Sequence, residues 1–290
     1  MITIIIPTKN RPKFLIDLVA SIDRQKKGPL ELIIVDQSNE YNADISLKKN
    51  YIKYFYRKDI FNLCDAKNFG LKFSSGEYIG FLDDDIILEE NFLEELNSCL
   101  KNNPLGVSGV EDRTFISNYL IYIFKVIAYR GIFKDGRLIY KNYSSHYKKT
   151  NKIFGGCTFF RSEIFNKVKF RINSPLFINE DTDFSLIVKS EFNEDFIINT
   201  KLKYIHFTTT PNVSDKNVKD DIIEKKILSN LISYRYLHFF HKNSFYNTLS
   251  LFWIFFCHFH YLLFLSIYKI NINFIILFFK SIFCPIRKIK

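Results

Sequence analysis

Glycine is scarce in this chain, at 10 of 290 residues, and tryptophan occurs once. Neither a Gly-x-Gly-x-x-Gly fingerprint nor a Walker phosphate loop is present, which argues against dehydrogenase and ATPase chemistry. Five cysteines (Cys64, Cys99, Cys157, Cys257, Cys284) are widely spaced with no Cys-x-x-Cys pair. That pattern suits reduced thiols rather than a disulfide framework. No secretory h-region opens the sequence, because Pro7 breaks the apolar run that starts at Ile2, and a cytosolic start is expected. Internal repeats and low-complexity linkers are also missing. With 47% hydrophobic and 24% charged residues, disorder is excluded as the main state.

What is present is apolar bulk and an uneven charge. Phenylalanine occurs 32 times and tyrosine 17 times, and the formal charge is +11. Residues 216–290 hold 11 basic and 3 acidic side chains, a net +8, which leaves only +3 for residues 1–215. The same last quarter contains 20 consecutive residues, 249–268, without Asp, Glu, Lys or Arg. A helix of that length rises ~30 Å, enough to cross a hydrocarbon core. A second run over 270–283, interrupted by Asn271, Asn273 and Lys280, reads as interfacial. Basic charge joined to dense apolar surface points to membrane phospholipid as the partner of residues 216–290, and not to nucleic acid.

Short runs rich in Ile, Val, Tyr and Phe at 2–6, 30–35, 52–56 and 78–82 have the length of strands. Between them, helical spacing follows Pro12, runs from Ala66 to Phe73, and recurs through Phe92, Leu93, Leu96 and Leu100. Alternating strands and helices predict βαβ units and a mainly parallel α/β sheet flanked by helices, followed by a helical C-terminal tail. Residues 105–150 are read as an insertion, with an apolar helix possible over 119–128. Gly155-Gly156 then precedes a strand, and Glu180-Asp181-Thr182-Asp183 opens a helix whose dipole the acidic groups complement.

In such a sheet, ligands gather beyond the carboxyl ends of the strands. Those ends carry Pro7-Thr8-Lys9-Asn10-Arg11, Asp36-Gln37-Ser38 and Asp83-Asp84-Asp85. Three consecutive carboxylates repel one another unless a cation lies among them. Mg²⁺ or Mn²⁺ is the natural neutraliser, since both prefer oxygen ligands and can be shared with substrate phosphates.

The ordered blocks Ile5-Ile6-Pro7-Thr8-Lys9-Asn10-Arg11, Ile34-Val35-Asp36, Ala66-Lys67-Asn68-Phe69-Gly70, the stretch from Gly76 to Asp85, and Glu180-Asp181 resemble family-2 glycosyltransferases. The resemblance covers about residues 1–210. It implies a GT-A, Rossmann-like fold over 1–215, with a donor half over about 1–104 and an acceptor half over about 105–215. It further implies inverting transfer from a nucleotide-diphosphate sugar to a glycan or lipid-linked acceptor, and the basic, apolar tail leads to the expectation that this occurs at the cytoplasmic face of the cell membrane. By the same resemblance Asp83 and Asp85 of the Asp-x-Asp motif, with Asp84 between them, serve the metal and the donor, and Asp85 is the first metal ligand. Asp36 falls at the base-contacting position, although Gln37 replaces the second Asp common in the family. Pro7, Thr8 and Arg11 match the loop beside the base, and Lys67-Asn68 stands near the diphosphate, with Lys where many members have Arg. Asp181 matches the general base, with Glu180 beside it. His206 matches a histidine that in some members completes the metal shell.

Two other readings compete. A strand followed by Asp83-x-Asp85 superficially fits an aspartyl-nucleophile phosphohydrolase, but that pattern expects Thr or Val where Ile87 stands. A membrane-anchored protein that binds nucleotide sugar without turnover would keep the same motifs.

Overall fold

The computed structural model describes residues 1–25, 31–42, 49–111, 146–150, 153, 155–171 and 180–207, with seven separate helical positions between 256 and 279. The chain divides into two compact units. One takes in Met1–Thr114, Gly136–Arg171 and Phe184–Thr208, and the other Phe115–Asp135, Ile172–Asp183 and Thr209–Lys290. The sequence-predicted helix over 119–128 and most of the tail lie outside the described residues.

The first unit is built on one sheet. Its elements run β1 (Ile2–Thr8), α1 (Pro12–Asp23), β2 (Glu31–Asp36), β3 (Ile52–Tyr56), α2 (Leu63–Leu71), β4 (Tyr78–Leu82), β5 (Ile86–Leu88), α3 (Phe92–Leu100), β6 (Gly106–Glu111), β7 (Tyr147–Thr150), β8 (Cys157–Arg161), α4 (Ile164–Lys167), α5 (Glu180–Phe192) and β9 (Phe196–His206). The first turn of α5 falls in the second unit. Among the described residues the strand order is β3-β2-β1-β4-β8-β6-β9-β5, with β7 also on β9. The β3-β2-β1-β4 half is parallel. Beyond it the ladders are antiparallel except β6 with β9.

Period-two alternation divides the core between the two faces of the sheet. Ile4, Ile6, Leu32 and Ile34 pack with Leu15, Leu18 and Ile22 of α1 and Phe92 and Leu96 of α3. Ile5, Ile33, Val35, Ile79 and Phe81 pack on the other face with Ala66, Phe160, Phe165, Phe184 and Val188. That second face is largely aromatic, with Phe170 stacked on Phe184 at 4.2 Å and edge-on to Phe81 at 5.0 Å. Much of the phenylalanine in this region is therefore core.

Pro7 sits inside a central strand, where its missing N–H would normally break a ladder. Thr8 O faces β2 and accepts Gln37 N–H at 2.9 Å. The ring nitrogen of Pro7 consequently faces β4, and pairing with β4 ends earlier, at Ile5 with Phe81. Two predicted boundaries move. Helix α2 begins at Leu63, where the Asn62 side chain accepts Asp65 N–H as an N-cap, and it ends at Leu71. Residues 105–111, assigned from sequence to an insertion, contribute β6 to the sheet.

Candidate active site

The carboxyl ends of β1, β2 and β4 meet as the pattern requires. Asn10 N–H donates to Ser38 Oγ at 2.7 Å, and Asn39 N–H donates to Asn10 Oδ1 at 2.9 Å, which ties the first two loops together. The third loop carries the three carboxylates, and the fold sorts them by direction. Asp84 is 5% exposed and turns toward β1, where Thr8 Oγ1 donates to its Oδ2 at 2.7 Å. Asp83 and Asp85 instead face His206, and one ligand atom from each of the three lies within 4.8 Å of the others.

His206 reaches this place by strand register. It ends β9, which pairs antiparallel with β5 so that Ile86 lies opposite His206. Phe207 N–H donates to Asp85 O at 2.8 Å, and His206 Nε2 lies 3.0 Å from Asp85 Oδ1. Asp83 is fixed from the other side, its N–H donating to Gly156 O at 2.9 Å. Gly156 has φ +95°, a conformation that favours glycine, and a Cβ there would come within 3.3 Å of Asp83 Oδ2. Gly155-Gly156 forms the turn that leads into β8.

Arg11 closes the cluster. Its Nη1 donates to Asp84 Oδ1 at 3.0 Å and to Asp85 Oδ2 at 2.9 Å. Burial raises the pKa of Asp84, against the pull of Thr8 and Arg11. Burial pushes Asp85 the same way, but the His206 hydrogen bond and the charges of His206 and Arg11 outweigh it and leave Asp85 below its ordinary value. His206 is raised in turn, first by its hydrogen bond to Asp85, with burial opposing.

The remaining sequence-nominated residues divide. Asp36 is 1% exposed; it accepts Ser38 N–H at 2.8 Å and also the Tyr54 hydroxyl, a partner with no signal in the linear sequence. Gln37 donates to Ile60 O at 2.9 Å and Asn62 O at 3.2 Å, and so pins the loop before α2. Lys67 is buried with its ammonium 4.8 Å from the Phe170 ring and 6.0 Å from Phe81. Asn68 brackets the Phe170 backbone, donating to its O at 2.8 Å and accepting its N–H at 3.1 Å. Glu180 and Asp181 lie in the first turn of α5, where Asp181 Oδ1 accepts Thr182 N–H at 2.8 Å. Lys189, further along α5, pairs with Asp195 at 2.6 Å.

The model of Glycosyl transferase family 2 matches residues 3–169. The chain belongs to this family. The match takes in Thr8, Arg11, Asp36, Lys67 and the three carboxylates, whereas Glu180, Asp181 and His206 lie beyond it. Family membership sets aside the phosphohydrolase pattern. The glycosyltransferase GlyG of Streptococcus pneumoniae is 29% identical over 127 residues, 42% of this chain and 40% of that protein. The poly(ribitol-phosphate) beta-N-acetylglucosaminyltransferase TarP of Staphylococcus aureus is 33% identical over 123 residues, 39% of this chain and 38% of that one. This family-2 chain therefore aligns with about two fifths of the length of each relative. The mannosyltransferase PcManGT of Pyrobaculum calidifontis, solved in complex with GDP-Man and Mn²⁺, shares the fold with a TM-score of 0.60 at 11% identity, over 97% of this chain and 87% of its own.

The donor set of this site fits a divalent cation. Two carboxylates and one imidazole converge, and an Mn²⁺ or Mg²⁺ ion that takes three protein ligands keeps positions for phosphate oxygens and water. The imidazole favours Mn²⁺ over Mg²⁺ in that pair.

Proposed function

We propose that this family-2 chain transfers a sugar, with inversion, from a nucleotide-diphosphate sugar to a hydroxyl of a glycan or glycolipid acceptor during synthesis of a cell-surface polymer. The observation that carries the reading is the convergence of Asp83, Asp85 and His206 at the strands' carboxyl ends. The polymer acceptor named for TarP supports the acceptor class. A divalent cation held by Asp83, Asp85 and His206 would stabilise the negative charge of the diphosphate leaving group. Asp36 and the Thr8–Ser38 loops border the nucleoside. Asp181 takes the proton of the acceptor hydroxyl as its oxygen bonds to the anomeric carbon. The bond from that carbon to the diphosphate oxygen breaks on the opposite face, and its electron pair leaves with the nucleoside diphosphate.

A membrane surface is part of the proposal. Within the second unit Phe259 packs on Phe278 and Phe279 with ring centroids 5.3 and 6.3 Å apart, while Phe256, Leu263, Ile276 and Phe279 remain exposed. These apolar side chains, in a tail whose sequence ends in the basic Arg287-Lys288-Ile289-Lys290, suit an anionic lipid surface. Among the described residues no helix is long and apolar enough to cross a membrane.

The test is sugar transfer itself. The full chain is incubated with Mn²⁺, a panel of labelled nucleotide sugars and a membrane glycolipid extract, and both released nucleoside diphosphate and labelled acceptor are followed. One donor should give both products, and Asp181→Asn should still bind that donor while suppressing transfer. Donor binding without transfer by the wild-type chain would favour the non-catalytic reading. Equal transfer by Asp181→Asn would remove the base assignment.

A further inference from the structure

The Asp85 carboxylate is already occupied by cationic groups of the chain. Its Oδ2 accepts Arg11 Nη1 at 2.9 Å and its Oδ1 faces His206 Nε2 at 3.0 Å, with the Asp85 side chain only 8% exposed. Any divalent ion that takes Asp85 meets the Arg11 charge at the same carboxylate, and two cations on one carboxylate repel.

Three features separate Arg11 from an ordinary ion-pair partner. Its side chain is 37% exposed against 7% and 8% for Asp84 and Asp85, so of these three groups the guanidinium is the one that reaches solvent. It has a second hold, Asp84 Oδ1 at 3.0 Å, and Asp84 is anchored independently by Thr8. Arg11 can therefore release Asp85 without leaving the site. Finally, both bonds use Nη1 alone; among the described residues Nε and Nη2 have no partner, which leaves much of the planar fork for an anion.

We infer that Arg11 is a resident counter-ion that partly offsets the charge of the carboxylates and keeps them ordered, yields Asp85 when a divalent cation binds, and turns its fork to the donor's diphosphate, so that cation and donor bind with positive coupling. This rests on the proposed metal-dependent donor site. Arg11 has two parts under this inference. It acts on the cation through Asp85 and on the donor directly.

The test reads binding, with turnover left out. Mn²⁺ is titrated into the full chain without nucleotide, following free Mn²⁺ by electron paramagnetic resonance. Arg11→Gln removes the competing charge, and its Mn²⁺ affinity should rise about tenfold, the effect of one unit charge a few ångströms from a charged site. Unchanged or weaker Mn²⁺ binding by Arg11→Gln overturns the inference, since a merely structural arginine would disorder the site on removal. Arg11→Lys keeps the charge but loses the fork. Its Mn²⁺ affinity should stay within about twofold of wild type, while the factor by which Mn²⁺ improves nucleoside diphosphate affinity falls at least about fivefold. An unchanged coupling factor overturns the inference even if Arg11→Gln does not fold. Wild-type protein that binds no Mn²⁺ removes the metal site itself, an outcome distinct from either Arg11 result.

Discussion

The two ends of the parallel strands handle buried carboxylates in opposite ways. At the amino end Glu31, 6% exposed, opens β2 with every oxygen matched: Thr3 Oγ1 donates to Oε2 at 2.5 Å, Ser75 N–H and Oγ donate at 2.9 and 3.1 Å, and Lys53 holds Oε1. Thr3 Oγ1 in turn accepts Gly76 N–H at 2.8 Å, so one acidic group fastens the turn into β4. Burial pushes Glu31 up, but these bonds outweigh it and hold it below its ordinary 4.5. At the carboxyl end three adjacent carboxylates share one arginine and one histidine. A matched carboxylate stabilises the fold, whereas carboxylates crowded together at strand ends are the arrangement that the proposed cation would relieve.

The comparison breaks most visibly at Asp85. Asp85→Asn should lower metal-dependent turnover by a factor of about 10²–10³, the usual scale for a group that stabilises developing charge, while the chain stays folded and loses only the modest stabilisation of the Asp85 ion pairs. A loss of turnover together with the fold would make the carboxyl end structural. Glu31→Ala should show the reverse, a loss of about 2 kcal/mol in unfolding free energy with donor affinity unchanged. Lys53, 49% exposed, contributes little of that, so Lys53→Ala is expected to be nearly silent by denaturant titration.

Acidity separates the ends by sign. Glu31 titrates lower in the folded chain, so its stabilisation is present above 4.5 and lost as pH falls through its depressed value. His206 titrates higher, so the Asp85 pair stabilises the ion-free chain below 6.5 and is lost as pH rises through the raised value. Melting curves across pH should show an acid limb flattened by Glu31→Gln and a separate alkaline limb flattened by His206→Gln. Mn²⁺ affinity should climb across the alkaline window, because the imidazole must shed its proton to ligate. A modest effect is expected at Gly156→Ala: about 1 kcal/mol of destabilisation from its positive φ, with a few-fold loss of Mn²⁺ affinity as the Asp83 carboxylate is crowded.

Much of the carboxyl end was legible because the parallel strands are unbroken apolar runs and the polar residues after them stand out. Thr8, Arg11, Asp36 and Asp83 to Asp85 could be gathered on one edge by topology alone. His206 was reachable only through the family resemblance, since nothing local tells that β9 and β5 would bring it to Asp85, 121 positions away. Strand β5 is three residues long, and β6 begins with Gly106-Val107-Ser108-Gly109, too weak a pattern to separate from a loop. The Tyr54 bond to Asp36, the Asn68 bracket on Phe170 and the aromatic bed of Lys67 depend on packing between chain-distant elements. The amino-end cluster escaped notice for the same reason, because Thr3, Glu31, Lys53 and Ser75 carry no motif.

The measurement that bears most directly on the central claim is calorimetric titration of nucleoside diphosphates into the full chain, with and without Mn²⁺, for wild type and Asp85→Asn. The account predicts that one nucleotide class binds only when Mn²⁺ is present and that Asp85→Asn, still folded, loses that binding. Binding that ignores Mn²⁺, or that survives in Asp85→Asn, would contradict it.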